Sequence, residues 1–141
     1  MAEGSSALRV DVVSPERILF SGDARQVITR TLQGGEIAFL PGHAAFLGAL
    51  TENHTRIYLT DGTIQDIAVH LGFVEVGPDH VSILSDSAEL AQDINVKRAQ
   101  DAMARAQEQL RTEVTPEAES ALRRATARLA ASGNTSTASS H

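Results

Sequence analysis

The spacing of the hydrophobic residues changes once along this chain, near residue 95. Before that point apolar and polar residues alternate, as in Leu8, Val10 and Val12, which would lie on one face of a β-strand. After it, apolar residues recur every three or four positions, which is the spacing of one face of an α-helix. The sequence therefore predicts a strand-rich unit followed by a helical one.

The strand-rich unit consists of short β-branched segments separated by turn residues. The predicted strands are 8–13, 18–20, 24–32, 36–40, 54–60, 64–70, 73–76 and 81–84. The predicted turns are Ser14-Pro15, Ser21-Gly22-Asp23, Gly34-Gly35, Pro41-Gly42, Asp61-Gly62 and Gly77-Pro78-Asp79. Many short strands with frequent turns are typical of a β-sandwich or a barrel.

The Asp61-Gly62 turn allows a prediction of strand register. A two-residue loop would pair Ile57 with Asp66, which sets an apolar residue against an acid. A three-residue loop ending at Thr63 would pair Ile57 with Ile67 instead. Because register follows the buried face of a strand, we favour the longer loop.

Two helices are predicted in the second unit, and their apolar stripes are rich in alanine. Thr115 is placed to cap the second helix, Pro116 lies in its first turn, and Gly133 would end it. The stripes are Val96, Ala99, Met103, Ala106 and Leu110 in the first helix and Ala118, Leu122, Ala125 and Leu129 in the second. A short connection makes the pair an antiparallel hairpin. Small side chains bury little area, so we expect the hairpin to open easily, unless it is an accessory that merely covers the sandwich.

Composition limits the classes of function. The chain has 141 residues and a net charge of −6, which argues against a general nucleic-acid binder. It has no cysteine, no segment resembling a signal peptide, and no apolar run near the roughly 20 residues that cross a bilayer. The charge is uneven, with a net −8 over residues 1–93 and a net +2 over residues 94–141. We expect a disordered start (1–7), a sandwich (8–90), a helical hairpin (91–131) and a disordered tail (132–141).

We find no enzyme signature in the sequence. Gly34-Gly35 is not followed by the Gly-Lys-Ser/Thr of a phosphate-binding loop, and no serine has the context of a nucleophile elbow. The histidines lack metal-ligand spacing, and the five aromatic residues are not spaced as a stacking platform. We therefore predict no catalytic residue and no metal site.

Six segments occur in an order that points to a known family. They are Val12-Val13-Ser14-Pro15-Glu16, Phe20-Ser21-Gly22, Gly35-Glu36-Ile37, Leu40-Pro41-Gly42-His43-Ala44, Gly72-Phe73-Val74-Glu75-Val76 and Val81-Ser82-Ile83-Leu84. In this order they resemble the epsilon subunit of bacterial F-type ATP synthases. The resemblance implies an α+β fold, with a flattened β-sandwich of about ten strands followed by an antiparallel two-helix hairpin.

The resemblance also implies a function and a set of partners. The chain would be a non-catalytic rotor subunit, monomeric when isolated, that joins the gamma shaft to the c-ring. It would lie at the cytoplasmic face of the bacterial cell membrane, held there only through the complex, and would bind no nucleic acid. It would support the coupling of proton transport to ATP synthesis. Its helices would extend toward the alpha and beta subunits and inhibit ATP hydrolysis.

The family's functional positions can be carried over to this sequence. The positions implied to face the c-ring are Glu36, Gly42 and His43. The inhibitory helix carries three arginines that would pair with acidic segments of the beta subunits, and they are Arg123, Arg124 and Arg128.

Some bacterial members bind ATP through an Ile-Asp-x-x-Arg-Ala motif. The corresponding segment here is Ile94-Asn95-Val96-Lys97-Arg98-Ala99, which supplies Asn95 and Arg98, and Glu89 matches an acid upstream of the motif. Asn95 replaces the aspartate and cannot offer a carboxylate's charge-assisted hydrogen bonds, which argues against ATP as a ligand of the helical domain. No other cofactor is implied.

One alternative from a different class is a free-standing β-sandwich module that binds a ligand and dimerises through its helical hairpin. It predicts a stable homo-oligomer and an aromatic or polar binding face. The scarcity of aromatic residues counts against it.

Overall fold

The computed structural model describes residues 7–133, and these residues form nine strands followed by two helices. The strands are β1 Leu8–Val13, β2 Ile18–Thr31, β3 Gly35–Phe39, β4 Phe46–Leu50, β5 Asn53–Leu59, β6 Ile64–Val69, β7 Gly72–Val76, β8 His80–Ser85 and β9 Ala88–Leu90. The helices are α1 Val96–Thr112 and α2 Pro116–Ala131, and a single 3₁₀ turn, Ala91–Asp93, precedes α1. The termini predicted to be disordered lie outside the described residues, apart from Ala7, Ser132 and Gly133.

The fourteen-residue strand β2 connects the two faces of the sandwich. Its first half pairs with β1, and its second half pairs with β3 and β5. From β1 the sheet continues through β8, β7 and β4, and from β5 it continues through β6 and β9. A short pairing between β4 and β2 closes the first group of strands. The sheet thus folds back on itself and encloses a core.

That core comes from the strands alone. Its largest fully buried members include Phe39, Leu8 and Ile83, and no residue of either helix belongs to it. Each fully buried aliphatic or aromatic side chain contributes about 1.5–3 kcal/mol of transfer free energy. The departure of the helices would therefore leave the core of the sandwich complete.

The predicted turn at Ser21-Gly22-Asp23 is wrong, because β2 runs straight through it. All three residues pair with β1, in the register Asp11 with Ser21, Val10 with Gly22 and Arg9 with Asp23. The polar side chains that suggested a turn instead bond across the two strands on their exposed face. Ser21 Oγ donates to Asp11 Oδ1, and Arg9 Nη2 donates to Ser21 Oγ at 2.6 Å.

The predicted register of the β5–β6 hairpin is also wrong. Ile57 pairs with Gln65, and Thr55 rather than Ile57 lies opposite Ile67. The loop has three residues but ends at Gly62, whose φ of +93° lies in the left-handed region that glycine tolerates. Pairing apolar residues across the hairpin gave the wrong register because the buried residue opposite Ile67 is Thr55, which has polar partners. Its hydroxyl lies 2.8 Å from both the Thr29 hydroxyl and the Asn53 Oδ1 atom.

Two strands were not predicted from the sequence, and the total is nine rather than about ten. The segment Phe46–Leu50 lacks an alternating pattern because it contains no polar residue. The strand Ala88–Leu90 has three residues, too few to show a period. Both are held by neighbouring strands, since β4 pairs with β7 and β9 pairs with β6.

The helical hairpin matches its prediction in detail. The Thr115 hydroxyl accepts a hydrogen bond from the Ala118 N–H at 3.1 Å, and Pro116 occupies the first turn. The second helix ends at Ala131, and Gly133 follows with a φ of +85°. Neither helix within 7–133 combines the length and the apolar character that a membrane span requires.

Candidate functional site

The second helix packs against β5 and β6, which places the hairpin on one side of the sandwich. The apolar part of this junction is small, with Ala68 of β6 meeting Ala127 and Ala131 of α2 and Ile94 from the linker. Alanine side chains offer one methyl group each, worth about 0.8 kcal/mol when buried. Apolar contact alone therefore holds the hairpin weakly.

The first charged contact across the junction joins Arg123 of α2 to Glu52, which precedes β5. The Arg123 Nε atom lies 3.0 Å from Glu52 Oε1, and the Glu52 side chain is only 3% exposed. Burial opposes ionisation of Glu52, but hydrogen bonds from its own backbone N–H and from Arg123 outweigh that effect. They hold the pKa of the Glu52 carboxyl below its ordinary value. Glu52 is thus an ionised partner for α2.

The second charged contact joins Arg128 of α2 to Glu89 of β9. The Arg128 Nε atom lies 2.6 Å from Glu89 Oε1. Together with Arg123–Glu52 this contact forms the docking ion pairs of the hairpin. Arg123 is 52% exposed, so solvent screening limits its pair to about 1 kcal/mol or less. The docking ion pairs orient α2 and add modest stability.

The structure brings two of the three predicted inhibitory arginines into the docking ion pairs. Arg124 differs, because its Nη1 atom donates to Ser120 Oγ of its own helix at 2.7 Å. Sequence reasoning missed Glu52 entirely. Glu52 and Arg123 are separated by 71 residues, and nothing around Glu52 in the sequence distinguishes it from an ordinary loop acid.

The positions implied to face the c-ring separate into two places. Gly42 and His43 follow β3 in a tight turn, where the Gly42 N–H donates to Pro78 O at 2.7 Å. The His43 ring packs edge-on against Phe39, with ring centroids 4.9 Å apart. Glu36 lies at the other end of β3, opposite Arg30. Glu36 therefore lies within β3, whereas Gly42 and His43 lie in the turn that follows it.

The residues implied for ATP do come together. Glu89, Asn95 and Arg98 line one pocket of about 270 Å³, with Arg105 and Arg128 also on its wall. Two of these side chains already have partners within the protein. The Asn95 Oδ1 atom accepts from the Arg98 N–H at 3.0 Å and so caps α1, and the Glu89 carboxylate is paired with Arg128. Within 7–133, no group of three or more His, Asp or Glu side chains is arranged to hold a metal ion.

An exposed apolar row on the sandwich was not predicted. It crosses four strands, because Phe73 of β7 pairs with Ala49 and Leu84, and Leu84 pairs with Val13. Phe73 is 57% exposed and Leu84 is 50% exposed, and Leu71 extends the row. These strands are not the ones that α2 covers. The signal in the sequence is that β7 and β8 carry large apolar residues on both faces.

Dimerisation through the hairpin would require an exposed apolar surface on the helices, and the described helix residues do not provide one. Among described residues 91–133, Val114 in the connecting loop is the one large hydrophobic residue that is strongly exposed. The helices direct their apolar stripes toward each other and toward the sandwich.

Comparison with known proteins gives the same division of the chain. Residues 7–91 match the family model for the β-sandwich domain of the ATP synthase delta/epsilon chain, and residues 92–133 match the model for its long α-helix domain. The ATP synthase epsilon chain of Halalkalibacterium halodurans is 40% identical over 131 residues, covering 89% of this chain and 97% of the relative. The Bacillus subtilis epsilon chain is 38% identical over 106 residues, covering 75% of this chain and 79% of the relative.

A solved structure shares the fold. A chain in the cryo-EM structure of the Euglena gracilis mitochondrial ATP synthase, in an assembly of OSCP, F1 and c-ring, superposes with a TM-score of 0.70 at 16% identity. The match covers 94% of this chain and 81% of that one. With two family models spanning its described residues, and with bacterial relatives aligned over most of its length, this chain belongs to the delta/epsilon chain family of ATP synthases.

Proposed function

We propose that this chain is the epsilon-type rotor subunit of an F-type, proton-translocating ATP synthase and is itself non-catalytic. It joins the gamma shaft to the c-ring and restrains ATP hydrolysis with its C-terminal helices. One observation supports the proposed restraint of ATP hydrolysis by the helices. The hairpin sits on a sandwich that has its own core, and a few alanines and the docking ion pairs hold it there. The hairpin can therefore move off the sandwich without unfolding it.

The gamma subunit is the partner we assign to the exposed apolar row. A row centred on Phe73 and Leu84 would be costly to leave in water and suits a permanent protein interface. It lies on strands that the hairpin leaves bare, so gamma and the docked hairpin occupy different faces. The sandwich can therefore stay on the shaft whatever the helices do.

The c-ring is the partner we assign to β3 and the turn after it. Glu36 lies near the start of this strand and His43 lies in the turn after its end, so a ring contact with both would run along β3. The shape of the turn depends on Gly42, because its φ of +89° would be strained for any residue with a side chain.

Single cysteines test the c-ring assignment cleanly, because the chain has none of its own. We expect Glu36→Cys and His43→Cys each to form a disulfide with a cysteine in the polar loop of the c-ring. Asp61→Cys, in the exposed β5–β6 turn, is the matched control and should not cross-link. The measurement is the yield of cross-linked product on a gel. Cross-linking by the control alone would show that another part of the sandwich faces the ring.

For the helices we assign two positions. In the docked position, Glu52 and Glu89 neutralise Arg123 and Arg128. In an extended position those arginines lose their partners and become free to pair with acidic segments of the beta subunits. Within residues 7–133 Arg124 has no carboxylate partner when docked, so it can contribute to inhibition without contributing to docking.

The direct test of this function is ATP hydrolysis by an alpha-beta-gamma core, with and without the chain. We expect the full chain to bind the core and slow hydrolysis. A version ending at Asp93 should bind equally well and not slow it, because the sandwich core contains no helix residue. Arg124→Ala should bind, stay docked to the same extent as the wild type, and inhibit less.

Phe73→Asp is the control for binding, since it places a charge in the apolar row. It should remove binding of both the full and the truncated chain. If the truncated chain inhibits as strongly as the full chain, the helices are not the inhibitory element. If neither chain binds the core, the rotor assignment fails.

The pocket around Arg98 is not expected to bind ATP in this protein. Asn95 is occupied in capping α1, and Glu89 is occupied by Arg128. Titration calorimetry of the full chain with ATP at millimolar concentration should show no saturable heat. Asn95→Asp restores the family's carboxylate and is the comparison that should gain heat. Saturable binding by the wild type would show that the cluster of arginines suffices.

A further inference from the structure

His70 is a buried histidine at the junction between the sandwich and the hairpin. It directly follows β6, and its backbone N–H donates to Ser87 O at 3.1 Å, which fixes its position. Its side chain is only 3% exposed. Neither ring nitrogen has a hydrogen-bond partner among residues 7–133. Buried polar groups without partners are rare, so this one calls for a physical account.

The charged groups that face His70 belong to both sides of the junction. From the sandwich, Glu89 Oε1 lies 3.8 Å from the His70 Nε2 atom, and Glu52 also acts on the ring. From α2, Arg128 and Arg124 act on it with the opposite sign. Both carboxylates are already engaged by arginines of α2, because Glu89 binds Arg128 and Glu52 binds Arg123.

A proton on His70 would therefore enter a site that is already neutralised. The added charge would be buried beneath α2 without a free carboxylate and close to two guanidinium groups. Burial first, and then the charge of Arg128, lower the pKa of His70 from 6.5 to about 4. The docked hairpin thus favours the neutral imidazole.

We propose that His70 makes the docking of the hairpin depend on pH, so that the helices stay on the sandwich while the imidazole is neutral and are released as it takes up a proton. Release is favoured because departure of α2 uncovers the side of the chain that carries Ala68 and, two residues later, His70. It also removes the charges of Arg128 and Arg124, so the charged imidazole can be solvated. The docking equilibrium is a property of the isolated chain. Its consequence, stronger restraint of hydrolysis in an acidified compartment, rests on the proposed function.

The direction and the size of the pH effect on docking follow from the linkage between proton binding and docking. A group whose pKa is lowered in the docked state stabilises docking above its undocked pKa, and this contribution falls away as the pH drops toward the docked value. For His70 that window runs from 6.5 down to about 4. Between about pH 7.5 and about pH 5.5 the docking equilibrium constant should fall about tenfold. The pKa of the Glu52 carboxyl is held below its ordinary value, so Glu52 stays ionised throughout this range.

Native-state hydrogen exchange of the full chain measures this equilibrium directly. An undocked helix of this length is marginal in water, so opening exposes its amides. After correction for intrinsic exchange rates, protection of the Ala125, Ala127 and Leu129 amides should fall about tenfold between about pH 7.5 and about pH 5.5. Protection of the core amides of Val74 and Ile83 serves as the internal reference and should change far less.

Three histidine variants identify which side chain causes the pH dependence of docking. His70→Gln should make α2 protection independent of pH in this range. His80→Gln removes an exposed histidine on β8 and should leave the pH dependence as in the wild type. His54 borders the groove beside α2, so His54→Gln is the critical comparison. The same pH dependence in His70→Gln as in the wild type, or its loss in His54→Gln alone, would overturn the proposal.

A second measurement keeps the proposal testable if His70→Gln does not dock. The ring protons of His70 in the wild-type chain should titrate in NMR spectra with a midpoint far below 6.5. In Arg123→Ala/Arg128→Ala, where the docking ion pairs are absent, the midpoint should move up toward 6.5. A midpoint near 6.5 in the docked wild-type chain would show that the junction does not exclude the proton, and the proposal would be wrong.

Discussion

The contact between α2 and the sandwich is made with charge rather than with apolar area, and the behaviour of the whole protein depends on this. Alanines bring the helix close to β6, and two arginines then reach carboxylates on the sandwich. Ion pairs that are partly open to water hold a geometry at little net gain in free energy. An interface of this kind specifies one docked position and still lets the helices leave.

The sandwich has the opposite character. Its core is made of interleaved apolar residues, with fully buried members from all but one of the strands, and it closes through the long strand β2 without help from the helices. The outer surface of the sandwich has two regions to which we assign different partners. We propose that the apolar row at Phe73 and Leu84 binds a lasting partner and that the turn at Gly42 and His43 contacts the c-ring. One rigid unit can therefore stay engaged while the other changes position.

Much of this could be predicted from the sequence, and the failures have identifiable causes. The helices followed from the spacing of alanine and leucine and from Thr115 and Pro116, which act locally. The hairpin register failed because Thr55 is buried through hydroxyl partners on other strands, so apolar pairing was the wrong guide. The docking ion pairs and the site of His70 could not be predicted from the sequence, since each depends on residues that the fold brings together from distant parts of the chain. Of the residues implied by family resemblance, those of the ATP motif do line one pocket, whereas Glu36 lies apart from His43.

We propose that the docking ion pairs hold the hairpin away from its inhibitory position. The most direct measurement is ATP hydrolysis by the alpha-beta-gamma core bound to the Glu52→Gln/Glu89→Gln chain. This change weakens docking by at most about 2 kcal/mol, which is a factor of about 30 or less, because each partly exposed pair contributes about 1 kcal/mol or less; it leaves all three arginines in place. Asp79→Asn/Glu108→Gln is the control, since it removes two exposed carboxylates that touch neither docking arginine. The account predicts slower hydrolysis with Glu52→Gln/Glu89→Gln than with the wild-type or control chain. Hydrolysis as fast as with the wild type, or faster, would contradict it.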